Sequence, residues 1–370
     1  MPFWATKDEI EDVEHIYNCW KQVYTLTMKH GGKELDPKFF DALERAEFNK
    51  SDAEEWSQWI KNKVIRVLTP QEERQVPKDK IFAAPLRFVR TNKGVKVKEL
   101  KAKSRLVVPG HKDPELGEFR TDSPTTSTLA VQVAVSIAVS KRWPGETFDV
   151  STAFLSGKAT SRQVYVRAPA EGLPAVEGEK AVRPRGLLEI LKGAYGLAEA
   201  PRLWYLRARE LLAQCGFEEL RVCRSVFCLR DANKQLSGIV TLHVDDGLIF
   251  GDPNNKTYRE ARKKINENFN IKEWHKLDAE IKRDDEEYLG ARWNQDIDND
   301  VITCDMDRYF KTIEREDEPS RKVDGETELD AKQQRFSQQS NETCMACKAR
   351  NAAASILHKF SLEQAQSSHG

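Results

Sequence analysis

The sequence lacks the features that mark membrane and secreted proteins. Its 370 residues contain no apolar run of about 18, the length that a membrane-spanning helix needs. The first residues, MPFWATKDEIEDVE, are acidic and include no apolar core of the kind found in signal peptides. We therefore expect an intracellular protein, cytoplasmic or nuclear, that does not act on membranes.

Regularly spaced cysteines are also missing. The seven cysteines form an odd, unpatterned set, which favours reduced thiols over a disulfide framework. The CxxC pair of Cys344 and Cys347 has no second pair at zinc-ribbon spacing, and His358 is too isolated to complete a site. A structural metal site is therefore not expected.

The chain has no excess of either charge, but the charges are unevenly distributed. Residues 81–230 carry 25 basic and 15 acidic side chains, so this segment has a net charge of +10 and the rest of the chain −10. Between Arg87 and Lys112 nine basic residues accompany one acid, Glu99. A basic centre between acidic flanks suits a polyanionic ligand, although a solvated lysine-rich hairpin would have the same composition.

The first 80 residues have the pattern of a polar helical segment followed by a linker with two prolines. Trp56, Trp59, Ile60 and Val64 recur at helical spacing and form one apolar stripe. This stripe predicts ordinary core packing for the two tryptophans.

From about residue 81 the pattern changes to strands that alternate with helices. A basic strand, a turn at 92–94 and a second basic strand are predicted first, and then an apolar helix in SPTTSTLAVQVAVSIAVSKRW that is buried on most sides. A further helix begins near Pro201. Other strands are predicted in GETFDVSTAFLSG, QVYVRAP, VFCLR and SGIVTLHVDDGLIFGD. Antiparallel strand pairs that alternate with helices are typical of an α+β fold with a split βαβ layer.

The remaining segments are more polar. NKTYREARKKINENF predicts a charged helix, and YLGARWNQDIDNDVITCDMDRYFKTI predicts a short strand pair with a following helix. Residues 316–370 are poor in apolar side chains and rich in charge, so we expect a largely disordered tail. The predicted divisions are therefore 1–80, 81–254, 255–315 and 316–370.

Aspartates interrupt two of the apolar strands. Asp245 and Asp246 lie in GIVTLHVDDGLIFG, where the simplest interpretation is a hairpin turn. Asp149, however, lies in the middle of the strand GETFDV, where aspartate is disfavoured. If Asp149 and Asp245 lie on neighbouring strands with their carboxylates roughly 3–6 Å apart, they can bind two Mg²⁺ ions, or Mn²⁺ in their place, together with substrate phosphates. Such a pair predicts two-metal phosphoryl transfer.

Six segments resemble, in order, the reverse transcriptase domain of Ty1/copia-type long-terminal-repeat retrotransposons. They are KSRLVVPG, FDVSTAFLSG, VYVRAPAEG, LKGAYGLAEAPRLWY, TLHVDDGLIFG, and YLGARW with the VITCDMDRYFKTI that follows it. The resemblance implies an RNA-directed DNA polymerase, a nucleotidyltransferase with fingers and palm at 81–254 and a split βαβ palm sheet. A short thumb at 255–315 and a helical N-terminal lead would complete the right-hand architecture. Its partners would be an RNA or DNA template with a primer, and deoxynucleoside triphosphates.

The resemblance also implies a role for individual residues at the metal site. Asp149 and Asp245 would be metal ligands, Asp246 would be the third carboxylate, and Val150 would offer its backbone carbonyl to a metal ion.

A second set of residues would hold the incoming nucleotide. Lys103 and Arg105 match the basic residues that grip the triphosphate, since a guanidinium can bond phosphate oxygens in pairs. Phe154 matches the ring beneath the sugar that excludes a 2′-hydroxyl, although a core position would explain it equally. Tyr195, Gly196 and Pro201 match the loop that lines the nucleotide pocket.

Two departures from the family pattern leave alternatives open. His243 stands where the family has an aromatic ring before the two aspartates, and Glu199 replaces a glutamine in a loop expected near phosphates. No ribonuclease H, protease or integrase pattern accompanies the polymerase motifs. A catalytically inactive, truncated remnant that retains the fold and nucleic-acid binding is therefore the alternative to an active polymerase. A metal-dependent nuclease fits less well, because the additional acids and the general-base histidine of such sites are missing.

Overall fold

The structure, a computed structural model, describes residues 34–93, 100–176, 178–277 and 288–306. These residues all belong to one compact unit. Residues 1–33 of the predicted lead, the glycine of the predicted basic turn, the helix predicted after the last strand pair and the predicted tail at 316–370 lie outside the described residues.

The α-helices of the described residues are α1 (Ala42–Lys61), the single turn α2 (Pro70–Glu73), α3 (Thr128–Lys141), α4 (Ala200–Gln214) and α5 (Lys256–Asn268). Capping side chains begin each of them except α4, which begins with a proline in its first turn. Asp41 forms a capping box with Glu44, and Ser127 and Asn255 accept backbone N–H bonds at the starts of α3 and α5. In the described part of the chain, no helix is both long enough and apolar enough to cross a membrane.

Antiparallel pairing organises the strands into four sheets. The strands are β1 (Ile65–Val67), β2 (Arg87–Asn92), β3 (Ala102–Val107), β4 (Gly145–Val150), β5 (Ala159–Arg167), β6 (Leu187–Lys192), β7 (Phe217–Glu219), β8 (Val226–Arg230), β9 (Leu236–His243), β10 (Asp246–Gly251), β11 (Ile271–Lys276), β12 (Arg292–Asp296) and β13 (Val301–Asp305). The largest sheet has the order β11-β4-β10-β9-β8-β7, a second has the order β1-β6-β5, and β2-β3 and β12-β13 are separate pairs.

Helices cover both faces of the six-stranded sheet. Because side chains alternate along a strand, Ile249 of β10 packs with Phe148 and Val150 in the cluster that contains α4 and α5. Its neighbours Leu248 and Phe250 pack on the other side with α3. The mixed helix and sheet architecture is therefore the α+β fold that the sequence predicts.

A second core joins α1 to the smaller sheets. Trp56 and Trp59 are fully buried and pack with Leu106 of β3, Val164 of β5 and Ile190 of β6. The predicted core role of the tryptophans is confirmed. The predicted boundary at residue 80 stays a prediction, although α1 packs against strands on the far side of it.

The other element predictions are mostly confirmed. The basic hairpin, the strand around Asp149, the helix near Pro201 and the last strand pair are present. The turn predicted at 92–94 is wrong, because Asn92 still pairs with Ala102 and the Lys93 amide donates to the Lys101 carbonyl. The prediction that α3 is buried on most sides is wrong, because Leu129 and Val133 are 63% and 46% exposed. Strands β1, β6, β7 and β11 were not predicted.

Candidate active site

The hairpin that carries Asp245 and Asp246 reverses through two residues, Val244 and Asp245. His243 of β9 is the cross-strand partner of Asp246, so Asp246 and Gly247 already belong to β10. The turn predicted at Asp245 and Asp246 is thus one residue too late. Val244 has φ of 57°, a left-handed conformation that a β-branched residue rarely adopts. Such local strain is concentrated at functional sites.

Close packing beneath this hairpin explains the glycine that follows the aspartates. A Cβ atom on Gly247 would lie 2.1 Å from Cζ of Phe148, its cross-strand partner on β4. Any side chain at position 247 would therefore displace the buried Phe148 ring or β10 itself.

The pairing of β4 with β10 brings the three aspartates together at one end of these two strands. Asp149 is the cross-strand partner of Asp246, and the amide of Val150 donates a 3.0 Å hydrogen bond to the backbone carbonyl of Asp245. Side chains of directly paired residues lie on the same face of a sheet, with Cβ atoms about 5 Å apart. Asp245 precedes β10 in the turn, so the separation predicted for its carboxylate and that of Asp149 stays a prediction.

The carboxylates perturb one another because they have few counter-charges. Burial, and then the charges of Asp245 and Asp149, raise the pKa of Asp246 to about 7. Desolvation and the charge of Asp245 also raise the pKa of Asp149. Lys272, Arg105 and His275 oppose this rise at Asp149. A cation bound beside the three aspartates would relieve the repulsion between their carboxylates.

Within the described residues, no group of three or more His, Cys, Asp or Glu side chains is arranged to hold a metal ion by itself. This is compatible with Mg²⁺, which usually takes one or two protein carboxylates and completes its shell with water and substrate phosphates. The residues present therefore fit a cation that binds together with substrate.

The two predicted phosphate-binding residues lie on the same exposed face of β3. Arg105 lies close enough to Asp149 to lower the pKa of that carboxyl, and its guanidinium lies 5.4 Å from the ring centre of Tyr195. Lys103 is likewise exposed, and its charge acts on the buried Glu55 behind β3. The structure thus brings Arg105 near Asp149. That Lys103 also points toward the aspartates stays a prediction.

Three of the predicted nucleotide-pocket residues are brought together around Tyr195. Its ring meets Phe154 edge-on with centroids 5.7 Å apart, and its backbone carbonyl accepts a 2.8 Å hydrogen bond from Val108. Burial raises the pKa of Tyr195 to about 12, and Asp245 and Asp149 contribute to the rise. Gly196 follows with φ of 84°, and a Cβ atom there would lie 2.2 Å from the Val108 carbonyl oxygen.

Pro201 has a different position from the other pocket residues. It lies in the first turn of α4, and its carbonyl accepts a 3.0 Å hydrogen bond from the Ser123 hydroxyl. No described contact links it to Tyr195 or Phe154.

Glu199 belongs to a buried ion cluster that the sequence did not reveal. Its carboxylate accepts hydrogen bonds from Thr160, at 2.8 Å, and from the guanidinium of Arg162. Arg162 also pairs with Asp113 and Glu115. Neighbouring carboxylates hold the pKa of Arg162 above its usual range. The acidic residue in the family's loop is therefore neutralised by a partner within the protein.

Two further residues near the aspartates were not assigned a role from the sequence. His243 has a buried Nδ1 atom without a hydrogen-bond partner in the described structure, beside the strained turn. Lys272 lies in an irregular part of β11, where the register with β4 shifts opposite Asp149. In the sequence, Lys272 is one basic residue in a polar segment, and no other feature indicated that it lies near the aspartates.

Comparison with known proteins identifies the family to which this arrangement belongs. A family model described as "Reverse transcriptase (RNA-dependent DNA polymerase)" matches residues 72–316, which is more than half of the chain. The chain belongs to this family. The match includes the aspartate hairpin, the basic hairpin and both strands of the last pair.

Similar proteins come from plant transposons. The chain is 31% identical over 176 residues to the retrovirus-related Pol polyprotein from transposon RE2 of Arabidopsis thaliana, and 31% identical over 177 residues to that from transposon RE1. It is 30% identical over 155 residues to the Pol polyprotein from transposon TNT 1-94 of Nicotiana tabacum. These matches cover 47%, 47% and 42% of this chain but 11% of each relative. The predicted copia-type reverse transcriptase domain is confirmed.

Proposed function

We propose that this reverse transcriptase domain transfers deoxynucleotides from their triphosphates to the 3′-hydroxyl of a primer on an RNA or DNA template. The observation that carries the proposal is the cross-strand pairing of Asp149 with Asp246 beside Asp245, where the strands β4 and β10 meet the hairpin turn. Burial and mutual repulsion raise the pKa values of Asp149 and Asp246, so a cation would stabilise the ionised carboxylates. A primer with a nucleotide would supply the remaining ligands of the cation.

Asp149, Asp245 and the backbone carbonyl of Val150 would hold two Mg²⁺ ions, with Asp246 as the third carboxylate; Mn²⁺ could take their place. Bound metal would lower the pKa of the primer hydroxyl and neutralise charge on the phosphates. The strained Val244 turn fixes the Asp245 backbone, and the bond from Val150 to the Asp245 carbonyl ties that turn to β4.

Basic and aromatic side chains would orient the nucleotide. Arg105, with Lys103 beside it, would bind the triphosphate through charge-assisted hydrogen bonds. Phe154 and Tyr195, held edge to face, would form the floor beneath the sugar. A ring in that position excludes a 2′-hydroxyl sterically and so favours deoxyribonucleotides.

The same proposal gives the parts of the fold their roles. Within residues 81–254, most of the six-stranded sheet with α3 and α4 would be the palm, and the β2-β3 hairpin would belong to the fingers. Residues 255–315, with α5, β11 and the β12-β13 pair, would form the short thumb. The predicted lead at 1–80 would precede them.

The test is Mg²⁺-dependent primer extension on an RNA template, with the full chain and the Asp245→Asn variant. The substitution keeps size and hydrogen bonding but removes one charge from the metal site. We expect the rate to fall on the order of a thousandfold, which corresponds to about 4 kcal/mol of transition-state stabilisation.

Melting measured without metal supplies the control for folding. The melting temperature should be unchanged or slightly higher in the variant, because the substitution removes a charge that repels Asp149 and Asp246. Extension by the variant at nearly the rate of the unsubstituted protein would refute the assigned role of Asp245. Absence of extension in both folded proteins would favour the inactive remnant.

A further inference from the structure

A pocket of about 370 Å³ lies behind the aspartate hairpin, and no acidic residue lines it. Its lining includes three cations and several neutral hydrogen-bond donors, namely Lys158, Lys192, Arg207, Asn62, Asn270 and Ser156. The floor is formed by buried side chains of the palm core, among them Trp204. Cations and neutral donors without acids are the lining expected of an anion site.

The pocket is separate from the metal site but connected to it. Val150 lines the pocket and packs in the core beneath the sheet, whereas the preceding Asp149 projects from the opposite face. The indole N–H of Trp204 donates a 2.6 Å hydrogen bond to the backbone carbonyl of Val244 in the catalytic turn. A ligand in the pocket would therefore contact residues that adjoin the turn from behind.

The cations of the pocket have too few counter-charges. Lys158 and Arg207 share a single carboxylate, Glu210, at 3.3 Å and 3.2 Å. Within the described residues Lys192 has no ion pair, and desolvation together with the charges of Arg207 and Lys63 lowers its pKa. The three lining cations and Glu210 leave a net charge of +2. This charge would be matched by a doubly charged anion.

We propose that this pocket binds a phosphate group, through Lys158, Lys192 and Arg207. A guanidinium and two ammonium groups suit phosphate oxygens. The Asn62 and Asn270 amides each donate one hydrogen bond to a backbone carbonyl, and the second N–H of each can complete the shell. The phosphate could belong to a nucleic-acid strand that passes the palm, or to a free phosphate such as inorganic phosphate or pyrophosphate. Both sources share the same chemistry at the pocket.

The test measures phosphate binding by titration calorimetry on the full chain in the presence of a chelator, so that no metal-bound phosphate contributes at the aspartates. We expect inorganic phosphate to bind the unsubstituted protein. Lys192→Met, which keeps the aliphatic stem, should weaken binding about tenfold, since a hydrogen bond to a charged group contributes about 1.5 kcal/mol. Lys158 is exposed, so Lys158→Met should also weaken phosphate binding and should leave the core intact.

Two further variants are included, one that should strengthen phosphate binding and one that should leave it unchanged. Glu210→Gln removes the carboxylate that competes for Lys158 and Arg207, so phosphate should bind more tightly. Lys256→Ala removes an exposed lysine at the start of α5, twelve residues or about 18 Å along the helix from Asn268, and should leave binding unchanged. Equal affinities in all five proteins, or no binding of phosphate or oligonucleotide to the unsubstituted protein, would overturn the proposal.

A second titration distinguishes the sources of the phosphate. A short single-stranded oligonucleotide without terminal phosphates that binds in a Lys192-dependent manner would assign the pocket to a strand. Lys192-dependent binding of inorganic phosphate or pyrophosphate alone would assign it to a free phosphate. Because neither measurement requires metal or extension, a failure of the proposed polymerase activity would leave these results interpretable.

Discussion

Val244 and Asp246 show how the turn between β9 and β10 is held in an unfavourable state. A β-branched residue with φ of 57° costs on the order of 1–3 kcal/mol. Burial, and then the charges of Asp245 and Asp149, raise the pKa of Asp246 to about 7. Phe148 packs under Gly247, and the Val150 amide donates a hydrogen bond to the Asp245 carbonyl. These two contacts prevent Val244 and Asp246 from relaxing. The proposed metal site would thus be preorganised for a cation at the expense of stability.

The titration of Asp246 predicts that stability without metal depends on pH. Its pKa is higher in the folded protein than in the unfolded chain, so its contribution to stability is fully present below about pH 4. That contribution is lost as the pH rises through about 7. Since a tenfold change in proton affinity is about 1.4 kcal/mol, the free energy of unfolding should fall by roughly 2–4 kcal/mol over this range.

Asp246→Asn provides the comparison for this measurement. Urea unfolding with chelator should give a much flatter dependence on pH for the variant, because the amide does not titrate. Arg105, Lys272 and His275, which face Asp149, remain in both proteins. Addition of Mg²⁺ at pH 8 should stabilise the unsubstituted protein more than the variant. Parallel pH profiles for the two proteins would contradict the assignment of this loss of stability to Asp246.

At the scale of elements, Arg162 connects three segments of the chain. From β5 it pairs with Asp113 and Glu115 in the loop after β3 and with Glu199 at the start of α4, and Phe119 lies against its guanidinium at 3.7 Å. The Asp113 side chain is fully buried. Removal of the arginine would leave buried carboxylates without a counter-charge.

Arg162→Met is therefore expected to lower the free energy of unfolding by about 3–5 kcal/mol, the usual cost of breaking a buried ion pair. Glu199→Gln is the matched variant. Its amide oxygen can still accept from Thr160 and Arg162, so the loss should be below about 1.5 kcal/mol. Chemical unfolding of the two variants measures the difference. Equal losses would mean that the cluster contributes packing and not charge neutralisation.

The sequence predicted those elements whose pattern is local. The alternation of apolar and polar residues identified β3 and β4, and serine and proline at helix starts identified α3 and α4. Strand β11 was missed because it is an edge strand with a polar, irregular sequence, and β1 because three residues carry no period. Exposure of Leu129 on α3 was missed because a uniformly apolar helix has no polar face to indicate its orientation.

The site was predictable to the extent that single residues violated local rules. Asp149 in an apolar strand was such a violation. Its pairing with Asp245 as a metal site was inferred from the two interrupted strands, and the family resemblance supported that inference. Arg162 was not predictable, because its carboxylate partners are 37 to 49 residues distant in sequence and no local pattern links them. The substitution of glutamate for the family's glutamine at 199 was the one trace of this cluster in the sequence.

At the scale of the whole molecule, charge is distributed to suit a polyanion. The net charge of +10 on residues 81–230 is offset by −10 elsewhere in the chain. Lys103 and Arg105 are exposed on β3, and Arg105 is close enough to Asp149 to lower the pKa of its carboxyl. Binding of a primer and template should therefore depend mainly on phosphate contacts and should weaken steeply as salt increases.

The last prediction measures how many phosphates this surface contacts. The logarithm of the binding constant for a primer–template duplex should fall linearly with the logarithm of salt concentration, with a slope near −0.9 for each phosphate contacted. Replacement of both Lys103 and Arg105 by alanine should make the slope shallower by about 2 and weaken binding for all sequences alike. The matched control replaces Lys256 and Lys263, two exposed lysines of α5 that already pair with glutamates on that helix, and should leave the slope unchanged. An unchanged slope in the first double variant would mean that these two cations are solvated and do not contact the nucleic acid, because counterions are released only where a cation replaces them at the phosphate.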